Sequence, residues 1–310
     1  MRILVATEDS APTSAAVRFG ARLAAAGRGE LVVLTVGRNF PHALAGSGGL
    51  TSHLAAALND AARAFSARML AHARREAERT GARVRCETLR PRRVESIAET
   101  ISRAAERERA DLVVIGIRGG TAPARGLGSF ANQIVHGIRR PLAVVPDTFR
   151  DSRTRVTKIV VAIDGSKPAA EAVRFSARLA ARIPGARIVV LQVSALAADL
   201  SLMGGRLLKS LGFVPELRRA DLRAGRASLE SAAREARRLG ARVTVRYLAP
   251  RKKVFAEKAI VSEAGHQKAD LIVVGNSGRS ALGDAFLGSV AQRVVSQAGR
   301  PVVLVRARRR

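Results

Sequence analysis

The strongest constraint on this 310-residue chain is that it contains itself twice. Arg2-Ile3-Leu4-Val5-Ala6-Thr7 recurs as Lys158-Ile159-Val160-Val161-Ala162-Ile163, and Ala16-Val17-Arg18-Phe19 as Ala172-Val173-Arg174-Phe175. Leu31 to Val36 matches Ile188 to Val193, Ala110 to Gly116 matches Ala269 to Gly275, and Arg140 to Val145 matches Arg300 to Val305. The offset drifts only from 156 to 160 residues. A period this long is that of a whole domain, not of a solenoid repeat. The chain therefore reads as two tandem domains, residues 1–150 and 155–310, with a short polar linker around Asp147–Thr154.

Within each repeat, short apolar, β-branched runs alternate with Ala/Arg/Glu segments. In the first repeat the runs are 2–7, 31–36, 83–89, 111–116 and 141–145. Near-continuous hydrophobicity suits strands of a parallel sheet covered on both faces. The intervening segments have helical spacing: Leu222, Gly225, Leu229, Ala232, Ala236 and Leu239 share one helix face. Ser10-Ala11-Pro12 and Ser166-Lys167-Pro168 read as helix starts, with serine as cap and proline in the first turn. Strands alternating with helices imply right-handed crossovers and an open α/β sheet.

Composition narrows the function classes. There is no run of about 18 apolar residues, so a membrane span is not expected. Met1-Arg2-Ile3-Leu4-Val5 leads straight into a strand-like run, without the apolar core of a secretory signal. Cys86 is the single cysteine, which excludes internal disulfides and multi-cysteine metal centres. These features favour the cytoplasm. The five histidines are scattered, without metal-ligand spacing. The formal net charge of +29 attracts polyanions, so nucleic acid or an acidic protein is a candidate partner. Aromatic stacking platforms are scarce, however: there is one tyrosine and no tryptophan.

In open parallel sheets, ligands bind beyond the carboxyl ends of the strands, where strand order reverses. Two segments of the second repeat stand at such ends. One is Asp164-Gly165-Ser166, after the first strand. The other is Gly275-Asn276-Ser277-Gly278, nine residues, then Gly288-Ser289 and a helical pattern. Glycines let backbone N–H groups approach phosphate closely, and a following helix offers free amides and a positive dipole end. Ser289 adds a hydroxyl, and Asp164 can accept from a ribose hydroxyl. A tight turn with no ligand is the simpler reading of a lone Gly-x2-Gly, but glycines on both arms of the loop argue for an anion cradle.

These residues resemble the signature of the universal stress protein family in its nucleotide-binding branch: an apolar strand ending in Gly, then Gly-x2-Gly-x9-Gly-(Ser/Thr). Residues 271–305 match throughout, as does Val161 to Ser166. The resemblance implies two tandem, Rossmann-like α/β domains. Each would be an open parallel sheet of five strands, order 3-2-1-4-5, with helices on both faces. It implies ATP, with or without Mg²⁺, between the loops after strands one and four. Asp164 would then sit near the ribose and Val193 would meet the adenine with its backbone. Ala162 and Val274 would flank the nucleotide, and Gly275, Gly278, Gly288 and Ser289 would hold the phosphates with Arg279 beside them. It also implies pairing of two domains across their last strands, within the chain or as a homodimer.

The first repeat departs from this signature. Its acid is Glu8, and its loop runs Gly116, Gly119, then eight residues to Gly128-Ser129. Val36 takes the place of Val193. A longer acid and a shorter loop make this copy a degenerate nucleotide loop. No poised general base is apparent, so slow hydrolysis at most is expected and the chain is not expected to be an enzyme. The competing readings are a basic scaffold for nucleic acid or acidic partners and an adenylating enzyme. The second predicts a His-x-Gly-His signature, which is absent.

Overall fold

A computed structural model of the chain describes residues 1–7, 13–37, 49–92, 95–117, 129–149, 156–194, 196, 213–249, 255–278 and 287–307. They fall into two compact units, one within 1–149 and one within 156–307. The first runs β1 (Arg2–Thr7), α1 (Thr13–Ala26), β2 (Glu30–Val36), α2 (Gly49–Glu78), β3 (Arg83–Leu89), α3 (Ile97–Arg107), β4 (Leu112–Ile117), α4 (Ser129–Gly137) and β5 (Leu142–Pro146). The second runs β6 (Lys158–Ile163), α5 (Lys167–Arg182), β7 (Arg187–Val193), α6 (Val214–Arg238), β8 (Arg242–Leu248), α7 (Ala256–His266), β9 (Leu271–Gly275), α8 (Ser289–Gln297) and β10 (Val302–Val305).

All pairings within each unit are parallel. The order is β3-β2-β1-β4-β5 in the first and β8-β7-β6-β9-β10 in the second. Both are the 3-2-1-4-5 order, and no end of an expected strand run in the first unit lies more than one residue from the observed end. Strand order reverses after the second crossover, so right-handed connections place the first two helices on one face and the last two on the other. Accordingly α1 packs beside α2, α3 beside α4, α5 beside α6 and α7 beside α8. The central strands are sealed on both faces: Ile3, Leu4, Val5, Val113, Val114, Ile159, Val160, Val161, Ile272 and Val273 are fully buried.

Local chemistry fixes the helix starts. Ser166 caps α5, its Oγ accepting the Ala169 N–H at 3.3 Å, and Pro168 occupies the first turn. In α3, Ser96 Oγ accepts the Glu99 N–H at 3.2 Å while Glu99 accepts the Ser96 N–H at 2.7 Å, a reciprocal capping box. In α6 the buried positions are Gly225, Leu229, Ala233 and Ala236. The expected stripe thus shifts from Ala232 to Ala233, and Leu239 becomes the C-cap. Gly225 is dictated by its neighbour, because a Cβ there would lie 2.1 Å from the Tyr247 ring. Cys86 is half-buried, its thiol directed at the Leu70 carbonyl at 3.8 Å.

Candidate functional site

In the second unit β6 and β9 run side by side in register, Ala162 opposite Val274. They are also the strands between which the order reverses. Their carboxyl ends therefore emerge together, and the segments after them must meet. Asp164 follows β6 and is exposed. Its Oδ1 accepts the Ser166 N–H at 3.0 Å, which orients the carboxylate. Its Oδ2 faces the loop after β9, 3.0 Å from where a Cβ on Gly278 would stand. The acid and the second loop glycine, 114 residues apart, are thus in contact distance, and any side chain at 278 would press on the carboxylate.

The base of the loop is pinned. Asn276 donates its N–H to the Val305 carbonyl at 2.8 Å, and Asn276 and Ser277 are both buried. The two arms are tied to each other by the Gly288 N–H, which donates to the Asn276 carbonyl at 2.7 Å. That amide is committed within the protein, so Gly288 offers the cradle space and not its own donor. The amides that remain for an anion belong to the first turn of α8, which starts at exposed Ser289 and has no side-chain cap on it. A Cβ on Gly288 would stand 3.3 Å from Ser277 Cα and 3.4 Å from the Gly278 nitrogen, so glycine here keeps the arms close.

Gly275 has a different task. A Cβ on it would lie 2.9 Å from Pro168 Cβ and 3.0 Å from both Pro168 C and Ala169 N. Its missing side chain admits the first turn of α5, which in turn sets Asp164 and Ser166. Val193 ends β7, is half-buried, and pairs with Leu248. Arg279 lies outside the described residues.

A polar cluster next to Val193 escaped the sequence reading. Asp221, on α6, accepts from Ser194 Oγ at 2.6 Å and from the Tyr247 hydroxyl at 2.5 Å. Burial, then the hydrogen bond to the Asp221 carboxylate, pushes the Tyr247 phenol up to about 12. Gln192 shares this face by alternation with Ser194 and by register with Tyr247, and its amide oxygen is buried with no partner among the described residues. The available signals were the single tyrosine and a glycine inside a helical stripe.

In the first unit Val36 ends β2, and Gly37 donates its N–H to the Leu89 carbonyl at 2.8 Å, as Ser194 does to Leu248 at 2.8 Å. Gly116 lies in β4 opposite Val145. Glu8, Gly119 and Gly128 lie outside the described residues; Ser129 opens α4, and its side chain is outside them as well. Among the described residues, no group of three or more His, Cys, Asp or Glu could hold a metal ion. Among them, too, no helix is long and apolar enough to cross a membrane.

An open parallel sheet with loops converging at its switch point defines a Rossmann-like class of proteins. Within that class the assignment is specific. The model of the universal stress protein family matches residues 1–146 and again residues 155–306, and the chain belongs to that family in tandem form. The crystal structure of a universal stress protein from Archaeoglobus fulgidus DSM 4304 superposes with a TM-score of 0.66 at 19% identity, covering 99% of this chain and 98% of that one. A putative universal stress protein from Pseudomonas aeruginosa UCBPP-PA14 gives 0.55 at 17% identity, covering 98% and 92%. At these identities the likeness is one of fold. A Thermus aquaticus universal stress protein, described as lying in the 3' region of a QAH/OAS sulfhydrylase, is 53% identical over 49 residues. That alignment spans 16% of this chain and 36% of the relative.

Proposed function

We propose that the chain is a nucleotide-responsive stress protein whose second repeat holds ATP. The observation that carries this reading is the approach of Asp164 Oδ2 to Gly278, with the start of α8 on the opposite arm. Asp164 takes the ribose, the Val193 backbone meets the adenine, and Ala162 and Val274 flank the nucleotide. Gly278, Gly288 and Ser289 form the phosphate cradle, with Arg279 adding charge and Mg²⁺ accompanying the phosphates. Gly275 supports the site by seating α5. The first repeat, through Glu8, Val36, Gly116, Gly119, Gly128 and Ser129, is the weaker copy. In this reading hydrolysis is at most slow. Occupancy biases a conformation or a partner interface, with homodimerisation through domain edges as one such interface and the cytoplasm as the setting.

The test is the nucleotide content of the purified protein, read by chromatography and mass spectrometry after denaturation. It is repeated with Gly288→Val and Gly128→Val, and with thermal stabilisation by millimolar ATP. One ATP per chain, removed by Gly288→Val, is the expected result, and two per chain would bring in the first repeat. Absence of nucleotide together with absence of stabilisation by ATP refutes the reading. The +29 charge supports a second reading, a basic scaffold for nucleic acid or acidic proteins, which predicts affinity falling steeply with salt.

A further inference from the structure

The other end of the first sheet carries a charged cleft. Register aligns the amino ends of four strands there. Arg2 pairs with Glu30 and Glu30 with Arg83, and the pairing of Ile3 with Leu112 sets Asp111 beside Arg2. A cleft of about 600 Å³ opens at this end, with Arg2, Arg28, Glu30, Arg83, Glu108 and Arg109 in its wall.

The carboxylates of the cleft are already matched. Glu30 accepts from Arg2 Nε at 3.0 Å. Glu108 is buried and paired with Arg85, with Arg2 Nη1 at 3.8 Å and Arg107 at 3.1 Å. Asp111 accepts the Arg2 backbone N–H at 2.8 Å. Arg28, Arg83 and Arg109 are exposed, and among the described residues none of the three has a carboxylate within the 4.0 Å of an ion pair. Three exposed guanidinium groups outside any ion pair among the described residues thus stand in one concave place.

Backbone conformation marks two of them out. Arg28 and Arg109 have φ of 48° and 49°, the left-handed region that favours glycine. In the second repeat the turn equivalent to Arg28 carries Gly185, with φ of 80°. The same turn thus holds glycine in one copy and a strained arginine, at the rim of a cleft, in the other. Arg109 corresponds to Lys268, also at positive φ (50°), so a cation is kept there in both copies.

We infer that this cleft binds a compact oligophosphate, a chain of two or three phosphates. Guanidinium forks suit phosphate oxygens, and the volume lies in the range of small-ligand sites. Among the described residues the wall contains no aromatic ring on which a base could stack, only Met1, Gly29 and Val84 besides the charged residues. The phosphates therefore supply the recognition. They come either from a free inorganic chain or from the tail of a nucleotide.

The experiment titrates sodium triphosphate into the full chain carrying Gly288→Val, at fixed ionic strength, by calorimetry. Saturable binding is expected at the cleft. Replacing the three arginines together (Arg28→Gly, Arg83→Gln, Arg109→Gly) weakens it by a factor of about ten or more. A charge-matched control (Arg223→Gln, Arg226→Gln, Arg234→Gln, on the exposed face of α6) changes it by less than about threefold. Hydrogen exchange at residues 28–30 and 108–111 slows when triphosphate is bound. Arg28→Gly relieves the left-handed backbone, so the variant folds, as a urea curve verifies. Equal weakening by the cleft and control variants, or binding without saturation, overturns the proposal, since the general charge of the protein then explains the affinity. If ATP displaces triphosphate in the Gly288→Val protein, the ligand is a nucleotide tail; if it does not, it is an inorganic chain. Both results require the cleft.

Discussion

Substituting Gly275 by alanine separates a packing glycine from a ligand-approach glycine. The added methyl would stand 2.9 Å from Pro168 Cβ and 3.0 Å from Ala169 N. Carbon contacts settle near 3.5 Å or more, so the first turn of α5 must retreat by roughly half an ångström. β9 cannot give way easily, being paired with β6 on one side and β10 on the other. Overpacking of this kind costs about 1–3 kcal/mol, and alanine returns about 0.4–1 kcal/mol by restricting the unfolded chain. The net loss is about 1–2 kcal/mol. With a urea slope of about 2 kcal/mol per molar, the midpoint of the second unit's transition falls by roughly 0.5–1 M. The comparison is Gly288→Ala, where the nearest atoms stand at 3.3 to 3.5 Å, so the arms part slightly, stability falls by less than in Gly275→Ala, and nucleotide is lost. An unchanged urea midpoint for Gly275→Ala would refute the packing account. Loss of nucleotide with the urea midpoint unchanged would place Gly275 in the cradle.

Three further outcomes follow from the same geometry. Tyr247 is the only tyrosine, so ultraviolet titration reads it alone, and its midpoint should lie at about 12. Its folded value is raised, so the associated stability is present below pH 10 and is lost as pH rises towards 12; a midpoint near 10 would contradict the contact with Asp221. Gly225→Ala forces a methyl into that ring, so stability drops by about 1–2 kcal/mol despite the better helix propensity of alanine, and the tyrosine midpoint moves back towards 10. Glu95 is held down to about 2 by two hydrogen bonds of 2.8 Å from Arg103, then by the Arg92 N–H at 3.0 Å. Its contribution is therefore present above pH 4.5 and lost as pH falls towards 2. Glu95→Gln should be the less stable protein at neutral pH, with the gap to wild type closing over that window in urea titrations.

Much of this was written in the sequence because it is local or repeated. Buried parallel strands must be apolar along their whole length, so the runs at 2–7 and 158–163 announced themselves. Helix starts need a capping oxygen and tolerate proline, so Ser166-Lys167-Pro168 was legible, and the loop from Gly275 to Ser289 stood out by its glycines. Finding each pattern twice fixed the strand order through the family resemblance. What no spacing could reveal was which atoms the fold presses together. That Gly275 serves α5, that the Gly288 amide is taken by Asn276, and that Tyr247 fills the space left by Gly225 all depend on neighbours far apart in the chain. The same holds for charge. Sequence counts 54 basic residues without distinguishing them. Only the register of β1, β2, β3 and β4 shows that Arg2 and Arg85 are paired with carboxylates while Arg28, Arg83 and Arg109 line the same cleft outside any ion pair among the described residues, because an ion pair is decided by a few ångströms and not by composition.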